Sequence, residues 1–179
     1  DKGLLRLRDK GMEFCLINNY IHGSDISFVD VDNVAGSYEA VKHLIDLGHK
    51  EIAFLNGPSD YTNSIDRLAG YKKAFKEAGI PFRKQYILEG NYGRKSGYQA
   101  SERLLALSVR PTAVFSGNDR MAAGLIQGLK EKGVRVLEEL AVVGYDDSDT
   151  ATLVDPRLTT VRIPFFELGK RCVREFATV

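Results

Sequence analysis

A chain of 179 residues with 25 Lys and Arg against 24 Asp and Glu carries a net charge of +1, so no charge excess marks it as a nucleic-acid or membrane-surface binder in itself. Its 44% hydrophobic and 27% charged content is that of an ordinary globule, and its length suits one large domain or two small lobes that bury roughly 70% of the unfolded surface without covalent staples. No apolar run reaches the ~18 residues of a membrane span, no export signal is visible, and Cys15 and Cys172, far apart, one in an apolar run and the other in a predicted helix, read as buried free thiols of a reducing compartment.

Leu4, Leu5, Leu7 and Met12 predict the end of an amphipathic helix. Phe14–Ile17 and Ile26–Val31 read as short strands, the second ending in the polar run Asp30, Val31, Asp32, Asn33. Val34, Tyr38, Val41, Leu44 and Ile45 share one helical face, and Gly48 stands where a left-handed residue ends such a helix. Ile52–Leu55 is a buried-type strand, followed by the turn residues Asn56, Gly57 and Pro58. A polar loop over 59–66 leads into a helix from Arg67 to Ala78, striped by Leu68, Tyr71 and Phe75 and stopped by Gly79. Tyr86–Leu88 is the next strand, and Ser96 is placed to cap a helix running to Leu107.

The stretch from Pro111 to Asp147 is the most informative. Two apolar runs, Ala113–Phe115 and Leu140–Val143, flank a helical pattern of Met121, Ala122, Leu125, Ile126 and Leu129 closed by Gly133. That is a βαβ unit of a parallel sheet. Asn118 and Asp119 follow the first strand, and Asp146 and Asp147 follow the second. Strand carboxyl ends are where open α/β sheets bind ligands. A polar loop, a β-type run Leu158–Ile163, Pro164 and a helix Phe166–Phe176 complete the chain. Strands alternating with helices of about 12 residues make the fold class α/β with a parallel sheet.

The blocks DVDNVAGSYEAVKHLIDLGHKEIAFLNGP, DRLAGYKKAFKEAGI, PTAVFSGNDRMAAGLIQGLKEKGVRV, LAVVGYDD and DPRLTTVRIPFFELGKR, in this order, resemble the effector-binding core of the LacI/GalR family of bacterial transcription regulators. The likeness runs from about Leu4 to Phe176. It implies two Rossmann-like lobes of the periplasmic-binding-protein type I kind with a cleft between them, residues 49–159 forming a C-terminal lobe and residues 1–48 and 160–179 parts of an incomplete N-terminal lobe. It also implies a helix-turn-helix domain, a hinge helix and further N-lobe units ahead of Asp1, and returning segments after Val179, so the chain is expected to be a piece of a longer protein. A cytoplasmic homodimer that binds operator DNA through that absent helix-turn-helix domain is implied in the same way, with no membrane partner.

A sugar-sized ligand needs charged acceptors, forked donors and an apolar plate. By resemblance, Arg67, Asn118 and Asp146 match positions that grip sugar hydroxyls, Tyr92 an aromatic stacking position and Asp32 a ligand-proximal one; Tyr61 and Asn63 lie in the loop after the first C-lobe strand. The Asn118–Asp119 pair is more like sugar-responsive than purine-responsive members. Plainer readings stand beside these. Arg67 can be a solvated helix start, Asn118, Asp119 and Asp32 helix caps, Asp146 and Asp147 a turn, and Tyr92 wall packing.

No catalytic residue, metal or cofactor is expected. His22, His43 and His49 lack metal-ligand spacing, and Gly93-Arg94-Lys95-Ser96 has only the tail of a phosphate loop. The acidic run at 146–149 lacks the glycine and distal Glu of a calcium loop. Two alternatives remain. One is a periplasmic sugar-binding protein of the same fold. The other is a Mg²⁺-dependent DxD phosphatase with Asp30 as nucleophile, Asp32 as general acid and the metal held by Asp146 or Asp147, although the Thr of that motif is missing.

Overall fold

The computed structural model describes residues 2–176. They form α1 (Lys2–Asp9), β1 (Leu16–Ile17), β2 (Phe28–Val29), α2 (Asn33–Asp46), β3 (Ile52–Asn56), α3 (Thr62–Glu77), β4 (Ile87–Glu89), α4 (Arg94–Leu105), β5 (Ala113–Ser116), α5 (Asp119–Glu131), β6 (Ala141–Asp146), α6 (Asp149–Leu153), β7 (Thr159–Arg162) and α7 (Phe165–Phe176). Among the described residues no helix is long and apolar enough to cross a membrane.

The chain packs as two units: a larger one, Asn33–Ile163, and a smaller one built from residues up to Asp32 and from Pro164 onward. The smaller unit holds α1, α7 and the parallel pair β1–β2, in register Leu16↔Phe28 and Ile17↔Val29. Its strands are shorter than the apolar runs that announced them. Cys15 and Cys172 are only half-buried, not the buried thiols expected.

The larger unit is a parallel five-stranded sheet in the order β4-β3-β5-β6-β7. The passages between units fall at 32/33 and 163/164 rather than at the expected 48/49 and 159/160. The reason is packing. Helix α2 lies along α3, and β7 continues the sheet through Thr160↔Gly144 and Val161↔Tyr145, so both belong with the sheet they cover or extend.

Every residue of β3 is buried, as expected of a central parallel strand with helices on both faces. On one face Ala53, Leu55, Val114 and Val142 join Ala100 and Leu104 of α4 and Met121, Leu125 and Leu129 of α5 in one cluster. Alternation sends Phe54 and Phe115 to the other face, where Phe54 stacks on Phe115 at 4.8 Å and on Tyr71 of α3 at 5.4 Å. The Tyr71 hydroxyl donates to the Ile52 carbonyl at 2.7 Å, so its burial leaves no open polar group.

Three local readings change. Helix α3 opens at Thr62, not Arg67, because Thr62 and Ser64 are buried and the Ser64 carbonyl accepts from Asn56 Nδ2 at 3.0 Å. These are tertiary ties that hydrophobic period does not reveal. Helix α4 follows Gly93, and Ser96 lies inside its first turn, donating to the Gly93 carbonyl and accepting from Asn91 N. The expected loop after Asp147 contains the short α6. Phe54→Ala, which empties the middle of the aromatic stack, should cost about 3–5 kcal/mol, read as a lower urea midpoint with an unchanged slope.

Candidate ligand-binding site

The sheet order defines where a ligand can enter. From β3 the chain turns to β4 on one side and then to β5 on the other, so the switch point lies between the carboxyl ends of β3 and β5. The loops at 56–58, 90–93, 117–118 and 146–148 rim that point. Arg67, Tyr92, Asn118, Asp146, Tyr61 and Asn63 all belong to the larger unit and to this rim or to the start of α3. Asp32 is exposed and is the last residue of the smaller unit, directly before α2.

Arg67 is 1% exposed, far from the solvated helix start that its charge allowed. Its Nε donates to Asn33 Oδ1 at 2.9 Å, Nη1 donates to the Gly117 carbonyl, and the guanidinium lies over the Tyr145 ring at 3.8 Å. Nη2 is buried with no hydrogen-bond partner among the described residues. A buried donor left unpaired costs roughly 1–3 kcal/mol.

Asp146 ends β6 with φ at +116°, and Asp147 follows at +54°. A non-glycine residue keeps such a backbone only where its surroundings over-determine it. The Ile163 amide donates to the Asp146 carbonyl at 3.1 Å, and Arg162 Nε donates to Asp147 Oδ2 at 2.6 Å, which fixes the turn on β7. Among the described residues nothing donates to the Asp146 carboxylate. Burial pushes its pKa up to about 7, against the lowering influence of Arg67 and with Asp119 adding to the rise.

Tyr92 also has a positive φ, +62°. Its ring lies against Gly57, where a Cβ would come 2.0 Å from the ring, so only glycine admits it. The hydroxyl donates to Asn63 Oδ1 at 2.9 Å, which leaves Ser64 Oγ, 2.6 Å away, to donate back. Burial raises the Tyr92 pKa. Tyr61, half exposed, approaches it at 6.2 Å between ring centroids.

Asn118 is the N-cap of α5, accepting from Met121 N at 2.9 Å, while its Nδ2 donates to the Tyr92 carbonyl at 3.0 Å. One lone pair and one N–H remain to it. Asp119 is not a cap. It is fully buried and accepts from Ser148 N at 2.8 Å, Ser148 Oγ at 3.0 Å and Thr160 Oγ1 at 2.6 Å, which joins α5, the β6–α6 turn and β7. Its pKa is raised chiefly by burial, with the Thr160 and Ser148 donors opposing the rise. Gly144 makes room for it: a Cβ there would lie 2.3 Å from Asp119 Oδ1.

The sequence reading missed Asn33, Ser64 and Tyr145. Asn33 was visible in the DVDN run, but only the fold shows that it meets an arginine 34 positions away. Asp30, the nucleophile of the phosphatase alternative, spends Oδ1 on the Val31 amide at 2.7 Å. Among the described residues no three His, Cys, Asp or Glu side chains gather as a metal site.

Asp119→Ala, which strands the Ser148 and Thr160 donors, should cost about 2–4 kcal/mol in chemical denaturation. Because folding raises the Asp146 pKa from 3.8 to about 7, the folded state holds more protons than the unfolded one between those values. The stability this proton gives is full below the unfolded value and is lost as pH rises through about 7. The thermal midpoint should therefore fall from about pH 4 to pH 7, and Asp146→Asn should flatten that decline, while Asp119, also raised, still contributes in the same direction.

Residues 41–177 match the family of periplasmic binding protein-like domains. Catabolite control protein A of Priestia megaterium is 40% identical over 152 residues, 84% of this chain and 46% of that protein. The solved regulatory protein of the LacI family from Chloroflexus aggregans superposes with a TM-score of 0.85 at 35% identity, over 96% of this chain and 62% of that one. A transcriptional regulator CelR–cellobiose complex does so with a TM-score of 0.89 at 33% identity, over 94% of this chain and 52% of that one. The chain spans about half the length, or less, of the curated relatives it matches. Its five blocks, its parallel sheet and these likenesses agree: the chain belongs to the periplasmic binding protein-like domain family, in the form carried by LacI-family transcriptional regulators.

Proposed function

We propose that this chain is the effector-binding part of a LacI-type repressor, that its effector is a carbohydrate, and that it performs no catalysis. One observation carries the reading. At the switch point a buried guanidinium keeps one nitrogen unpartnered and the carboxylate of Asp146 has no donor, and these two groups are the donor and acceptor that the reading assigns to the ligand. Polyols present groups that both donate and accept, and such a pair matches them.

Arg67 Nη2 donates to a ligand hydroxyl, Asp146 accepts, and Asn118 uses its remaining lone pair and N–H. Tyr92 has committed its hydroxyl to Asn63 and Ser64, so it serves through its ring, with the exposed Tyr61 beside it. Asn63 orients Tyr92. Asp32 is read as a further ligand-proximal residue. The larger unit is read as the C-terminal lobe, and the smaller as part of the N-terminal lobe. Cellobiose in one solved relative supports a saccharide, and the names of the matched regulators support a non-enzymatic role.

In the whole protein, a cytoplasmic homodimer, effector binding shifts lobe orientation only as far as one orientation binds the effector better. That preference alters how two helix-turn-helix domains, outside this chain, meet their operator half-sites. The test is a thermal-shift screen with mono- and disaccharides, sugar phosphates, nucleobases and Mg²⁺. One saccharide class should raise the midpoint, by the equivalent of about 2.7 kcal/mol at 100 times its Kd. The shift should vanish in Asp146→Ala. A shift with nucleobases alone, or a saccharide shift indifferent to Asp146→Ala, would overturn the proposal.

A further inference from the structure

The Arg67 guanidinium is fixed in three ways: Nε on Asn33 Oδ1 at 2.9 Å, Nη1 on the Gly117 carbonyl, and its plane over Tyr145 at 3.8 Å. The hydrogen bonds lie at two edges of the planar group, and the ring holds one face. Together they leave Nη2 as the nitrogen without a partner. Asn33 is 2% exposed, the first residue of α2, and the first residue of the larger unit after the chain passes from Asp32. Without its amide oxygen, Nε would be a second unpaired buried donor, and the guanidinium would turn to satisfy it.

We propose that Asn33 is a positioning residue for the ligand site: it sets the rotation of Arg67 that presents Nη2, and it ties that guanidinium to the point where the chain enters the larger unit. The inference rests on the effector reading above. A parallel tie exists at the other passage. Ile163, the last residue of the larger unit, donates its amide to the carbonyl of Asp146 at 3.1 Å. Each of the two charged residues offered to the ligand is thus one hydrogen bond from a residue at which the chain changes units.

The test compares Asn33→Ser, whose hydroxyl suits a helix start but is too short to reach Nε, with Asn33→Asp, which keeps an acceptor oxygen at the same reach. Cellobiose is the probe, titrated calorimetrically against each folded variant. The expected result is at least a tenfold weaker Kd for Asn33→Ser and a Kd within threefold of the unsubstituted chain for Asn33→Asp. A residue that merely starts α2 would lower the melting temperature in Asn33→Ser and leave Kd unchanged, which would overturn the proposal. A ligand-free readout runs beside it. The Arg67 Nε–H resonance should exchange slowly in the unsubstituted chain and in Asn33→Asp and be lost in Asn33→Ser. Its survival in Asn33→Ser would also overturn the proposal. Absence of cellobiose binding to the unsubstituted chain would count against cellobiose as the effector alone, and the resonance would still decide the role of Asn33.

Discussion

The buried guanidinium of Arg67 is the constraint on which the rim of the sheet depends. Taking an arginine out of water is costly unless its donors find acceptors and its face finds a surface. Here the compensation comes from Asn33 at the start of α2, the Gly117 carbonyl after β5 and the Tyr145 ring in β6. One side chain on α3 therefore holds three other parts of the fold in place. Arginine suits this where lysine would not, because a planar fork donates at its edges while its face stacks.

Around that anchor the loops hold one another. Tyr92 leans on Gly57 and is bonded through Asn63 and Ser64 to the first turn of α3, while Asn118 ties its carbonyl to the start of α5. Asp119 does for β6, β7 and α6 what Arg67 does for the other side. The left-handed backbones of Tyr92 and Asp146 sit inside these ties. Such conformations last only when neighbours over-determine them, and a site that must present fixed donors and acceptors benefits from the same rigidity. Unmet hydrogen-bonding capacity remains at Arg67 and Asp146, and it is on these two groups that the proposed binding role rests.

Much of this was legible before the fold was known. Periodicity located the helices and the βαβ unit, because apolar stripes and glycine stops are local signals. The polar residues after strands were expected along one edge of the sheet, and the fold gathers them there because parallel topology puts all carboxyl ends together. What escaped were long-range pairings. Nothing local says that Asn33 meets Arg67, or that Asp119 reaches Ser148 and Thr160 instead of capping its own helix. The first turn of α3 looked like a loop for the same reason, since tertiary bonds from Asn56 stabilise it. The division of the contacts at 32/33 differs from the expected lobe boundary because α2 shows which face is apolar but not which sheet that face will cover.

The staple at Asp119 also carries a lesson about descent. Its carboxylate fits only because residue 144 has no side chain, and hydroxyls at 148 and 160 join the backbone amide of residue 148 in meeting its oxygens. A change at any one of these positions damages the others, so the path from this arrangement to a different one runs through a weakened intermediate. The four positions should therefore be inherited as a block and exchanged as a block. Lineages that replaced the acid should also have filled the space above Gly144 and made residues 148 and 160 apolar.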